Sequence, residues 1–162
     1  MLIDFILVSL LGGGLILISW LFTYEILGQV WGALPKIGWS PRLRVMLIGV
    51  PIFFLHIANI WLYAGVYFLV ENYTALGRIV GTARLSGLTL ASFFDCLYFS
   101  AVTYTSLGLG DLVPTLQMRM LAAAEVLNGL VMIGWTISFT YLTMEKFWSQ
   151  PFHRRHSKAP HE

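Results

Sequence analysis

The sequence is poor in charge and nearly free of cysteine. Only 11 % of its residues are charged, against about 25 % in an ordinary soluble domain. Hydrophobic residues make up 57 %, so a water-facing surface cannot be assembled around a core, and the chain reads as one integral membrane domain. The single cysteine, Cys96, excludes an intrachain disulfide and leaves no metal-site spacing. A net charge of +2 is too small to mark a nucleic-acid binder. The first two apolar segments have no basic residues at every third position in their cores, which excludes an arginine-repeat voltage sensor. There is no internal repeat. No motif points to a cofactor or a small-molecule substrate.

Three apolar segments are long enough to cross a hydrocarbon core of ~30 Å. The first runs from about Leu2 to Leu27. Its acidic start, at Asp4, and its length argue against a cleaved signal peptide. Gly12, Gly13 and Gly14 within it predict close helix packing. The second runs from about Val45 to Val70, with Pro51 as an expected kink and His56 and Asn59 as polar interior residues expected to bond neighbouring helices. The third runs from about Leu116 to Phe147 and contains Glu125, Gly129 and Gly134. The link from Glu71 to about Thr89 has room for a short interfacial helix.

Between the second and third segments lies Leu90 to Thr105, apolar but too short to span with its flanking loop. Ser92 is the expected helix cap, with Asp95 in the first turn. A re-entrant helix fits this length. The residues that follow, Ser106-Leu107-Gly108-Leu109-Gly110-Asp111, cannot continue a helix cheaply. Non-helical backbone at membrane depth is tolerated only when buried in protein or lining water, which points to a pore or a cavity.

The run Thr105-Ser106-Leu107-Gly108-Leu109-Gly110-Asp111 resembles the potassium-channel selectivity filter, usually T-T-V-G-Y-G-D. With its flanking segments, about Val45 to Phe147 is similar to the two-helix potassium-channel pore domain. The resemblance implies an all-α membrane protein. Each chain would have three transmembrane helices plus a re-entrant pore helix and filter loop, and four chains would assemble as a homotetramer. It implies potassium as the permeant ion, held by carbonyls of Ser106, Leu107, Gly108 and Leu109 in place of water. Asp111 would ring the outer mouth or brace the filter from behind. Gly129 or Gly134 would be the gating hinge, and Gly134, Ser138 and Leu142, at i, i+4 and i+8, would line the inner cavity. Glu125 would bond behind the pore helix. Leu109 departs from the usual tyrosine, and Ser106 from the usual threonine. Leucine does occur at that position in some two-pore-domain potassium channels. The helix from Leu2 to Leu27 is additional to the minimal family.

Charge placement gives a topology. Lys36, Arg42 and Arg44 follow the first segment, and Arg154, Arg155 and Lys158 follow the third. The positive-inside rule puts both groups in the cytoplasm, the N-terminus outside, and the re-entrant loop open to the outer side. A bacterial or archaeal origin suits so compact a chain, with the protein in the cell inner membrane. The domain division expected is 1–44 for the first helix and its loop, 45–148 for the pore domain, and 149–162 for a basic tail able to lie on lipid headgroups. A weakly selective monovalent cation channel and a non-conducting membrane interaction subunit are the alternatives. An intramembrane enzyme using His56 with Asp95 or Glu125 lacks any nucleophile motif.

Overall fold

The computed structural model describes residues 2–34, 38, 41–81 and 87–148. Lys36, Arg84 and the basic tail at 149–162 lie outside the described residues. So do the side chains of Arg42 and Arg44. The elements are α1 (Leu2–Ala33), α2 (Pro41–Tyr73), β1 (Ile79–Gly81), α3 (Leu90–Tyr104), β2 (Leu112–Pro114) and α4 (Met118–Trp148). Three helices are long and apolar enough to cross a membrane, over Leu2–Ala33, Met46–Tyr73 and Met118–Lys146. α3, at 15 residues, is about 22 Å long and does not cross. The protein is thus an all-α integral membrane protein with one short non-spanning helix between its second and third spans.

α1 runs parallel to α4. A Cβ on Gly12 would lie 3.2 Å from Ala124 Cβ. Further along, Thr23 Oγ1 donates to Met132 Sδ over 3.3 Å, and the Trp31 and Phe139 rings meet edge-on at 6.0 Å. These contacts advance together along both helices. The chain therefore starts at the end of the bundle where the loop between α3 and α4 lies. The three glycines divide in role. Gly12 is the close approach, whereas Gly13 and Gly14 would meet nothing within 4 Å. α2 is antiparallel to α4 and continues through Pro51 without ending.

Two local expectations are corrected. Thr89, not Ser92, caps α3: its extended backbone lets its hydroxyl accept from Ser92 N over 3.2 Å. Thr89 is the last residue before Leu90, so Asp95 falls outside the first turn and cannot act on that end of the helix dipole. The link between α2 and α3 holds a strand, not a helix, in its described part. β1 pairs antiparallel with β2, Val80 opposite Val113 and Gly81 opposite Leu112. The approach is tight, since a Cβ on Gly81 would lie 2.5 Å from Asp111 O. Thr115 and Arg78 extend the ladder, with Thr115 N donating to Arg78 O over 2.8 Å.

The main core joins all four helices. Val8 and Leu15 of α1, Tyr63 and Tyr67 of α2, Cys96 and Phe99 of α3, and Leu121 of α4 are buried together. Most polar groups buried among the helices are paired, as burial in hydrocarbon favours, although the Tyr63 hydroxyl has no hydrogen-bond partner among the described residues. Asn59 on α2 is buried and accepts from Ser19 on α1. Asn128 on α4 donates to Ser19 Oγ over 3.1 Å.

Candidate pore loop

The loop is built from the end of α3 outward. Thr105 closes the helix in a right-handed conformation, with its N–H on Ala101 O at 3.3 Å. Ser106 then turns to φ 60°, and its N–H reaches back to Thr103 O over 2.9 Å. Leu107 and Gly108 both donate to Val102 O, at 2.9 and 3.1 Å. The first half of the loop thus spends its N–H groups on the helix it leaves.

Positive φ recurs at every second residue: 60° at Ser106, 51° at Gly108 and 80° at Gly110. In a strand φ stays negative and successive carbonyls alternate sides. Alternation between left- and right-handed conformations gathers consecutive N–H groups on one side, which leaves carbonyl oxygens for the other. Glycine adopts this geometry freely at 108 and 110. Ser106 adopts it at a cost of about 1–2 kcal/mol, and no sequence signal marked that position. Residues 105 to 111 are all exposed in the single chain. Leu107 and Leu109 are 62 % and 61 % exposed, so the packing expected around their side chains is not supplied by this chain.

Asp111 is held from behind. Tyr98, on α3, donates its phenol to Asp111 Oδ2 over 2.8 Å. That hydrogen bond raises the Tyr98 phenol above its ordinary pKa, so the donor persists through neutral solution. At its far end the loop continues directly into β2, and the pairing of β2 with β1 fixes its exit.

Behind α3 sits Glu125, fully buried. Its carboxyl accepts from Tyr67 on α2 at 2.6 Å and from Ser100 on α3 at 2.5 Å. One residue therefore bonds α2, α3 and α4 together. His56 does the same lower down, with Nδ1 2.9 Å from Tyr104 Oη and Nε2 3.1 Å from Thr136 Oγ1. Neither residue adjoins the loop itself, and Asp95 makes no hydrogen bond with either. The two hinge candidates differ sharply. A Cβ on Gly129 would lie 2.1 Å from Tyr104 O, whereas one on Gly134 would meet nothing within 4 Å. Gly134 and Ser138 lie on an open face of α4 with Leu127, Leu130, Ile137 and Tyr141. Leu142, also exposed, follows one turn later and borders a groove with Tyr24, Gly28 and Trp31 of α1. An i, i+4, i+8 series drifts slowly around a 3.6-residue helix, so Leu142 sits toward one edge of the face. Ile137 and Tyr141 are the open-face residues that this series missed.

Two spanning helices that flank a short non-spanning helix and a glycine-alternating loop define a pore-loop membrane protein. Residues 60–146, more than half the chain, match the family model described as "Ion channel", and the chain belongs to that family, one of channels and not of enzymes. Among similar proteins are Two-pore potassium channel 1 of Arabidopsis thaliana, 39 % identical over 82 residues, and Two pore potassium channel b of Oryza sativa subsp. japonica, 36 % identical over 74 residues. The matches cover 48 % and 43 % of this chain but only 23 % and 21 % of those relatives. No solved structure matches the chain.

Proposed function

We propose that this chain is one subunit of a homotetrameric, potassium-selective channel that conducts dehydrated potassium through a filter of backbone carbonyls. The observation that carries the reading is the alternating φ at Ser106, Gly108 and Gly110. It suits a backbone that turns successive carbonyls toward one axis, and carbonyl rings are what replace an ion's water. The carbonyls assigned to ion sites are those of Ser106, Leu107, Gly108 and Leu109, with Thr105 at the inner entry. Gly110 and Asp111 form the outer mouth.

Four strands are needed to surround an ion. The exposure of Leu107, Leu109 and the open face of α4 supports burial against further copies. The two relatives are named as potassium channels, which supports potassium as the permeant ion. Residues 45–148 act as the pore unit, with 1–44 as an added helix and loop. Gly134 is the hinge, and Gly134, Ser138 and Leu142 line the cavity. The N-terminus and the filter mouth lie outside and the C-terminus in the cytoplasm of a bacterial inner membrane, where the tail meets lipid headgroups. The second reading is a weakly selective monovalent cation channel. It rests on Leu109, which carries no hydroxyl to tie the filter to its surroundings.

Planar-bilayer recording of the purified protein under bi-ionic potassium and sodium tests this. The expected reversal potential is far from zero, in the sense of potassium preference. A reversal near zero moves the assignment to the second reading. Gly108→Ala should assemble but not conduct, and a robust current from it would remove the filter assignment. A particle of one or two chains in both detergent and lipid would remove the pore.

A further inference from the structure

Tyr104 is the last residue of α3 and stands two residues before Ser106. It is tied to α4 at two levels, once directly and once through His56 of α2. Its backbone carbonyl lies against Gly129, where a Cβ would come within 2.1 Å. Its hydroxyl meets His56 Nδ1 at 2.9 Å, and His56 Nε2 meets Thr136 Oγ1 at 3.1 Å. Gly129 and Thr136 are two helical turns apart, and Gly134 lies between them with open space where a Cβ would be. Tyr104 itself is 1 % exposed.

Hydrogen counting orients the chain of bonds. The Thr136 hydroxyl donates to Ile133 O over 3.0 Å. Its one hydrogen is spent there, so toward His56 it accepts, and Nε2 carries the proton. In a neutral imidazole Nδ1 is then the acceptor, and the Tyr104 phenol donates to it. Each group in the series Tyr104, His56, Thr136, Ile133 has one role, and none can be reversed without leaving a hydrogen unpaired.

We infer that His56 is a positioning residue for gating: it carries displacement of α4 beyond Gly134 to the base of the filter, through Thr136 on one side and Tyr104 on the other. This rests on the proposed channel function and on Gly134 as the hinge. A bend at Gly134 moves Thr136 relative to Gly129. The backbone of Tyr104 stays with Gly129 while its ring is drawn with Thr136. The resulting torque falls two residues from Ser106, whose left-handed backbone is held by a single bond to Thr103 O.

Single-channel recording of Tyr104→Phe, Thr136→Val and the double variant tests the series. Each single change should lower open probability by about fivefold or more, in the range of coupling between linked sites. Unitary conductance and ion preference should not change, and the double variant should fall no further than either single. Multiplying effects, or wild-type open probability in either single variant, would overturn the inference. His56→Gln keeps the donor toward Thr136, and His56→Asn keeps the acceptor toward Tyr104. Neither should restore gating alone, whereas recovery with either one would show that only one link matters and overturn the series. The inference also stands or falls without current. In labelled protein, NMR should find the His56 ring protonated on Nε2, and Thr136→Val should shift the Tyr104 ring signals. An Nδ1-protonated ring, or Tyr104 signals unmoved by Thr136→Val, would overturn it even on a silent channel. A silent wild type with shifted Tyr104 signals would instead count against the proposed conduction alone.

Discussion

Asn128 on the last helix and Ser19 on the first are joined by a 3.1 Å hydrogen bond in the middle of the bundle. Ser19 passes its own hydrogen to Asn59 on α2, Asn59 donates back to Leu55 O over 3.0 Å, and Trp20 Nε1 donates to Asn128 Oδ1 over 3.1 Å. This cluster attaches α1, which lies outside the region that matches the ion-channel family. Hydrogen bonds between membrane helices contribute about 0.6 kcal/mol each on average, with a maximum near 1.7. Asn128 makes two. Asn128→Leu should therefore weaken the docking of α1 by about 1–2 kcal/mol. The check is cysteine labelling of α1 in lipid, where protection should fall at the buried positions Leu15 and Thr23 alike. Unchanged protection would show that apolar contacts alone hold α1.

The close approach at Gly129 gives a second expectation. Any side chain there must displace the Tyr104 backbone, and overpacking of this kind costs about 1–3 kcal/mol. Gly129→Ala should lower thermal stability and disturb conduction. Gly134→Ala should be nearly neutral in melting because its Cβ meets nothing. Melting temperatures of the two variants in one detergent make the comparison, and equal losses would contradict the packing.

Glu125 tests what a buried carboxyl does behind the pore helix. Glu125→Gln keeps an acceptor for Tyr67 and a polar partner for Ser100, so stability should change by no more than about 1 kcal/mol. Glu125→Ala removes both bonds and opens a cavity, and should cost about 2–4 kcal/mol. Thermal unfolding of the two variants distinguishes this from a role in contacting ions, for which both should change ion preference while melting normally.

Tyr98→Phe removes the donor to Asp111 and leaves the ring. Open bursts should shorten while assembly is preserved, because Asp111 loses its brace on the pore-helix side but keeps the β1–β2 pairing that follows it. Burst analysis at fixed potassium concentration reads the effect. Bursts of wild-type length would mean that Asp111 serves as a mouth charge without being braced.

Much of this molecule was legible in the chain as written. Long apolar runs with few charges dictate spans, because an unpaired backbone group in hydrocarbon is costly and a helix pairs nearly all of its own. The alternation of Gly108 and Gly110 dictated a non-helical loop, since only glycine takes left-handed φ at no steric cost. Those signals are local, and local chemistry sets them. Contacts between distant residues were not legible. Sequence periodicity placed Gly134, Ser138 and Leu142 on one stripe, but it did not show that Leu142 also borders a groove with α1. Sequence alone pointed to Ser92 as the cap of α3, and the path of the chain into the helix selected Thr89 instead.

The sequence by itself determined that a glycine-alternating loop would stand between two spans, at a depth where its backbone must line water or be buried. Tertiary structure decided what holds it. Tyr98 is 13 positions from Asp111, Val113 pairs with Val80, and Gly129 admits the Tyr104 carbonyl. Each contact depends on where helices cross, which is set by the summed fit of many side chains and not by any one residue's preference.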